Sequence, residues 1–324
     1  MDEKTESTPF WRENGARYYS LGVYYKRTFG ASVRKISVDA RFSCPNIDGT
    51  VGRGGCVFCD AASFSPSRRM GIEDLGAQID EGIKQIQRRF DADKFVAYFQ
   101  PSTNTHAPVD VLERAYRAAI KRPEIVALAI GTRPDALGEP VLELLEKIAR
   151  EKPTSVEIGL QTSKDETLRA INRGHDYACF VDAVQRARGR GFRLGAHLIL
   201  GLPGETVDDM RLTARRVASL GIDSVKLHHL YVVKNTRLAT TWERGLVSLP
   251  TLEEYADYVA DFLELISPLT VVERVAGEAT EEFLLAPDWT AYKHAGRNAV
   301  EFALKRRRTW QGKYYDPTWR ERRE

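Results

Sequence analysis

The segment Phe42-Ser43-Cys44-Pro45-Asn46-Ile47-Asp48-Gly49-Thr50-Val51-Gly52-Arg53-Gly54-Gly55-Cys56-Val57-Phe58-Cys59 gathers three of the chain's four cysteines. It follows a short β-branched run, Val33-Arg34-Lys35-Ile36-Ser37-Val38. Eleven residues separate Cys44 from Cys56, and two separate Cys56 from Cys59. A two-residue gap lets both thiolates reach one metal centre, while Asp48-Gly49 and the glycines at 52, 54 and 55 supply turns that return Cys44 to the pair. Three occupants fit this pattern. A structural zinc ion wants a fourth nitrogen or sulfur ligand, which no His or Cys nearby in sequence offers and a distant one would have to supply. A cubane [4Fe-4S] cluster takes three thiolates and leaves one iron open to a substrate or cofactor. Unligated core cysteines are the third reading.

Outward from this loop the chain has a rhythm. Further apolar runs occur at residues 95–99, 125–130, 156–160, 194–200, 225–227 and 271–272, and segments of helical period at 72–90, 109–120, 141–149, 207–220 and 252–266 separate most of them. The repeat matches a βαβ unit, whose crossover has a fixed right hand. The pattern therefore predicts an α/β fold, a partial (β/α) barrel of the TIM type with about six parallel core strands; an open doubly wound sheet fits the same periodicity. Either fold places ligands at the carboxyl ends of the strands. The expected divisions are a polar segment over 1–16, frayed to about Arg12, the barrel over 17–289, and a short basic, aromatic C-terminal extension over 290–324.

The chain has 324 residues, 43% hydrophobic and 29% charged, which excludes collagen-like, coiled-coil and wholly disordered classes. No apolar stretch reaches the ~18 residues of a membrane span. The polar start Met1-Asp2-Glu3-Lys4-Thr5-Glu6 lacks the apolar core of a secretory signal, so a cytoplasmic protein with no membrane partner is expected. Residues 305–324 contribute +5 to a net charge of +3, leaving −2 for the rest. Lys305, Arg306, Arg307, Arg308 and Trp310 combine phosphate-seeking charge with a stacking surface, the composition of an RNA-binding tail or of a solvated helix end.

A cysteine loop directly after the first strand of a repeated βα architecture resembles the radical S-adenosylmethionine (SAM) superfamily. The wide first gap departs from its commonest signature, in which three residues separate the first pair. It is similar instead to the Elongator-catalytic-subunit-like branch and, within it, the YhcC-like bacterial group. Tyr98-Phe99-Gln100-Pro101-Ser102-Thr103-Asn104-Thr105, Gly131-Thr132-Arg133-Pro134-Asp135, Glu157-Ile158-Gly159-Leu160-Gln161-Thr162, Asn172-Arg173-Gly174-His175 and Gly201-Leu202-Pro203-Gly204-Glu205-Thr206 extend the likeness along the chain. The resemblance implies a [4Fe-4S] cluster on Cys44, Cys56 and Cys59 that reductively cleaves SAM to a 5′-deoxyadenosyl radical. It implies an electron donor such as flavodoxin or ferredoxin and, from the Elongator-like branch, modification of a wobble uridine in transfer RNA. It also implies SAM contacts from Phe58, Gln100, Thr103, Asn104, Thr132, Arg133, Glu157 and Gln161, although the glycine pair usual after the second strand is absent.

Ordinary alternatives accompany these assignments. Phe58 can fill the barrel, and Arg133 and Glu157 can form a structural ion pair. His197 and His228 are candidate proton donors or acceptors at the barrel mouth. Adjacent strand residues face opposite ways, so at most one of His228 and His229 looks inward. Cys179 is expected to pack in a helix. The competing functions are radical chemistry on a small metabolite or protein, and a non-catalytic iron-sulfur or zinc protein that binds RNA.

Overall fold

The computed structural model describes residues 9–320, so the polar start up to residue 8 and residues 321–324 lie outside the described residues. Its strands are β1 (Val33–Val38), β2 (Lys94–Phe99), β3 (Ile125–Thr132), β4 (Thr154–Gln161), β5 (Arg193–Leu200), β6 (Ser224–His229), β7 (Val232–Val233), β8 (Val271–Arg274) and β9 (Leu284–Ala286). Every apolar run of the sequence becomes a strand. Seven of them form one sheet in the order β1-β2-β3-β4-β5-β6-β8, with all neighbours parallel, while β7 and β9 make a short antiparallel ribbon. A doubly wound sheet reverses its strand order at a switch point, and this sheet does not.

The sheet is curled. Six strand spacings of ~4.8 Å would hold the edges of a flat sheet ~29 Å apart. Yet Lys35 Nζ on β1 lies 2.6 Å from Glu273 Oε2 on β8. The result is a partial barrel whose edge strands meet through side chains without a backbone ladder.

Side chains alternate across this sheet as strand geometry requires. The convex face carries Ile36, Val38, Phe95, Phe99, Leu128, Ile130, Val156, Ile158, Leu198 and Leu227, all within one core cluster. The helix α1 (Leu21–Phe29) packs instead against the inward-facing Val33, Val96, Ala127 and Ala129, and the convex face is covered by α2 (Leu75–Gln87), α3 (Val109–Ile120), α4 (Glu139–Glu151), α5 (Tyr177–Ala187), α6 (Val207–Ser219), α7 (Leu252–Leu265) and α8 (Ala295–Arg306). Leu112, Leu145, Val184, Val217 and Phe262 supply their buried faces. Capping boxes, Thr206 with Asp209 and Thr251 with Glu254, start α6 and α7 where the apolar periodicity begins. Periodicity alone did not mark α1, whose Leu-Gly-Val-Tyr-Tyr start carries aromatic and glycine residues of modest helix propensity. Cys179 sits in the first turn of α5, as expected, but is only half-buried.

The N-terminal segment docks rather than frays from Pro9 onward. Trp11 is buried, and its Nε1 donates to Pro268 O at 2.8 Å. No helix among the described residues is long and apolar enough to cross a membrane.

The concave face is polar at its centre. Glu157 on β4 accepts from Lys35 Nζ (2.6 Å), Lys226 Nζ (2.8 Å) and Tyr98 Oη (2.9 Å), and Lys226 also donates to Tyr98 Oη (2.6 Å). Burial alone would raise the Glu157 carboxyl; Lys226 and Lys35 override it and hold the group well below its usual range. Burial, with Lys35 adding like charge, brings Lys226 down to about 8. Removing one member of such a group strands the others in low dielectric, so Glu157→Gln is expected to cost about 3 kcal/mol of stability in urea unfolding, and a loss under about 1 kcal/mol would contradict this account.

Candidate functional site

The cysteine loop leaves the carboxyl end of β1 and is folded by its own turns. Ile47 and Asp48 N–H groups donate to Cys44 O, Val51 and Gly52 to Pro45 O, and Cys59 N–H to Cys56 O (3.1 Å). Gly54 and Gly55 have φ of +77° and +67°, a left-handed backbone that strains residues with a Cβ. The segment after the short helix Asp165–Ala170 clasps this loop. Val57 N–H donates to Ile171 O (3.0 Å), Asn172 Nδ2 to Gly55 O (2.7 Å), and Asn46 Nδ2 to Asn172 O (2.6 Å).

One donor of the clasp reaches sulfur. Arg173 is buried, places Nη1 3.5 Å from Cys56 Sγ, and anchors Nη2 on Gly159 O at 2.6 Å. Asn46 Nδ2 lies 3.8 Å from the same sulfur. Burial and the neighbouring Cys56 and Cys44 push the Cys59 thiol up to about 12. Three cysteines gathered on one cavity wall, one of them with two N–H groups at its sulfur, suit a polynuclear cation held by three thiolates, so the donor set fits an iron-sulfur cluster. A structural zinc ion would want a fourth nitrogen or sulfur ligand beyond these three cysteines.

A cavity of about 600 Å³ opens beside the loop at the carboxyl ends of the strands. Of the residues expected around a cofactor, Phe58, Gln100, Thr103, Thr132, Arg133, Glu157 and Gln161 line it with all three cysteines. Asn104 is absent from the lining: its Nδ2 is held by Phe99 O, Pro101 O and Gly131 O, each at 3.0 Å, so it braces the ends of β2 and β3. Thr103 offers a buried hydroxyl with no partner among the described residues. Gln161 ends β4 with φ +76°, a conformation unusual outside glycine, at a register shift that turns it toward the cavity. Arg133 and Glu157 do not pair with each other. Arg133 Nε and Nη2 bind Asp135 (2.9 and 2.6 Å), its Nη1 binds Arg173 O (2.7 Å), and Glu157 belongs to the lysine network beneath.

The histidines occupy the far wall. His197 and His228 ring centroids lie 5.6 Å apart, and both line the cavity. Burial first, then Lys226 for His197 and Arg274 for both, holds each imidazole well below its usual range and therefore neutral. His228 Nδ1 faces His229 O at 2.9 Å, which assigns the proton to Nδ1 and leaves Nε2 as an acceptor. Gly277 makes room, since a Cβ there would stand 2.4 Å from His228 Cε1. His229 packs in the wall against Trp289 (4.1 Å between centroids) and bonds Thr290 Oγ1 at 2.8 Å.

The C-terminal extension goes elsewhere. α8 packs on α7, where Arg306 pairs with Glu253 and Asp257, and Arg307 with Asp257, Asp261 and Glu264. Gln311 Nε2 then donates to Ser267 O (2.6 Å) and Thr270 O (2.7 Å), in the turn that enters the amino end of β8. The tail thus docks at the end of the barrel opposite the cysteine cavity. Arg12 stacks on Trp310 at 3.9 Å; Lys305 and Arg308 stay exposed.

Asn46, Tyr98, Asn172, Arg173, Lys226 and Arg274 are the site residues that sequence reasoning did not single out for a role. Arg173 and Asn172 stood within a quoted motif, and a buried Lys in a strand, Lys226, was a visible anomaly.

Comparison with known proteins agrees with this architecture. The family model described as the radical SAM superfamily matches residues 48–217, and the radical SAM C-terminal domain matches 222–306. Protein YhcC of Escherichia coli is 39% identical over 83% of this chain and 86% of its own length. A tRNA uridine(34) acetyltransferase of Methanocaldococcus jannaschii is 31% identical over 44% of this chain and 26% of its own. The solved structure of Methanocaldococcus infernus Elp3 with an N-terminal deletion shares the fold with a TM-score of 0.61 at 17% identity, over 86% of this chain and 64% of that one.

The Arg173 donor to Cys56 should stabilise the more negative, reduced state of a reconstituted cluster. Arg173→Met is expected to move its potential to more negative values in a titration followed by electron paramagnetic resonance; an unchanged potential would remove Arg173 from this role.

Proposed function

This chain belongs to the radical SAM superfamily as a YhcC-like member, and we propose that its substrate is a nucleoside of transfer RNA. The observation that carries the radical chemistry is the joining of the three-cysteine loop, its Arg173 clasp and a deep cavity at the carboxyl ends of a parallel half-barrel. A [4Fe-4S] cluster on Cys44, Cys56 and Cys59, with SAM, supplies one-electron, hydrogen-abstracting chemistry when bound. The protein's own part is positioning. Phe58 presents an aromatic face, Thr103 and Gln161 present polar groups, and Ile199, Tyr231 and Phe283 wall the cavity against water. His228 Nε2 accepts a hydrogen bond from the substrate.

Two things support RNA. One is the likeness over 146 residues to a protein named for acetylating uridine 34 of transfer RNA. The other is charge around the mouth: exposed Arg41 and Arg53 follow β1, and exposed Lys234 precedes the cavity residue Asn235, all at the strands' carboxyl end. The docked tail is the weaker candidate for RNA contact, because Arg306 and Arg307 already face the acids of α7. The reducing electron comes from a small carrier of the flavodoxin or ferredoxin class.

The test is anaerobic reconstitution with dithionite and SAM, with 5′-deoxyadenosine measured in the presence and absence of bulk transfer RNA. Wild-type protein is expected to form the product, several-fold more of it with transfer RNA, and Cys56→Ala to form none. Product that ignores transfer RNA but rises with a small-molecule or protein extract would reassign the substrate.

A further inference from the structure

Arg274 ends β8 at the junction of two cavities. One is the cysteine cavity; the other, of about 510 Å³, lies between β8, the Tyr18–Gly22 segment and the Trp289–Glu301 region. Arg274 and Glu278 line both. Arg274 is half-buried, and among the described residues its guanidinium has no hydrogen bond or ion pair; its Nε is fully enclosed without a partner. Other interior guanidiniums have partners: Arg133 holds Asp135, Arg307 holds Asp261 and Glu264, and Arg173, whose own Nε is also enclosed without a partner, holds Gly159 O and Cys56 Sγ.

The acid next to Arg274 in the chain and the one that lines both cavities with it have other partners. Glu273 binds Lys35 (2.6 Å) and Ser224 Oγ (2.7 Å), and exposed Glu278 faces His294 Nδ1 at 4.0 Å. Around the guanidinium stand neutral groups instead, since burial and then Arg274 itself hold the His229 imidazole down to about 3 and keep His228 unprotonated. A cation left unpaired in a partly desolvated wall is costly unless something arrives to pair with it. A planar guanidinium fork is matched by an oxyanion.

We propose that Arg274 is the anion receptor of the substrate subsite, taking a phosphate or carboxylate oxyanion of the substrate where the two cavities meet. The SAM end of the cavity has its own cations: Arg133 and Arg173 act on the cysteine sulfurs, whereas Arg274 acts on His197, His228, His229 and Tyr231. The inference rests on reading the cysteine cavity as the active site. For an RNA substrate the oxyanion is a backbone phosphate beside the modified nucleoside; for a metabolite it is a phosphoester or a carboxylate.

Equilibrium dialysis of the anaerobically reconstituted full chain with SAM tests it, using uridine 5′-monophosphate, uridine and succinate as probes. If the group is a phosphate, the monophosphate binds about tenfold or more tighter than uridine, the worth of one charge-assisted pair; if it is a carboxylate, succinate binds instead. Arg274→Met abolishes whichever binding is seen, and Arg274→Lys restores part of it. The melting temperature of Arg274→Met equals or exceeds that of wild type, because an unpaired cation has been removed. Failure of both anions to bind, binding that survives in Arg274→Met, or a lowered melting temperature in that variant would each overturn the proposal. Wild-type protein that binds the anion through Arg274 but forms no 5′-deoxyadenosine would count against the radical reading alone.

Discussion

Glu157 holds the barrel in shape. It stands near the middle of the central strand of the seven-stranded sheet, and it is the shared partner of Lys35 from the first strand and Lys226 from the sixth, with Lys35 reaching on to Glu273 in the last. Edge strands with no backbone ladder between them are joined through these side chains. Its geometry is demanding because a buried charge tolerates little displacement from its partners. The network forms the floor of the cavity, so the feature that curls the sheet also limits how deep a ligand can go.

Above that floor the site is assembled from loops anchored to strand ends. The cysteine loop turns back on itself through its glycines, but the clasp from residues 171–175 gives it a fixed place over β4. Arg173 joins Gly159 O to Cys56 Sγ and so couples sheet to sulfur directly. Gln161, held in a left-handed conformation at the end of the same strand, shows where local backbone ease has yielded to the site. The opposite wall of neutral histidines around Arg274 has a different electrostatic character, which divides the cavity into a sulfur end and a substrate end.

The extension illustrates the limits of counting charge. Residues 305–324 carry a surplus of positive charge, the composition of a nucleic-acid tail. In the folded chain Arg306 and Arg307 meet Glu253, Asp257, Asp261 and Glu264, residues spaced along one face of α7 some fifty positions earlier. Complementarity between two segments is invisible when either is read alone. The apolar side of α8, with Val300, Ala303 and Leu304 fully covered, confirms that this is a packed element of the barrel's outer layer.

Sequence by itself determined the seven strands of the main sheet and the grouping of three cysteines in one loop, because these depend on local patterns: β-branched runs such as Val33–Val38, amphipathic helices between them, and cysteines brought together through short turns; the choice between a barrel and a doubly wound sheet needed the strand order of the folded chain. Alternation along the strand also separates His228 from His229: both border the cavity, but the His229 ring is engaged by Trp289 and Thr290. Only the tertiary structure decided which polar residues face one another. Asn104 became a brace, Arg133 and Glu157 went to different partners, Arg173 emerged as the sulfur donor, and Arg274 was left without a counter-charge. The physical reason is that hydrogen bonds and ion pairs act over a few ångströms between residues that may be more than a hundred positions apart, as Arg173 and Cys56 are.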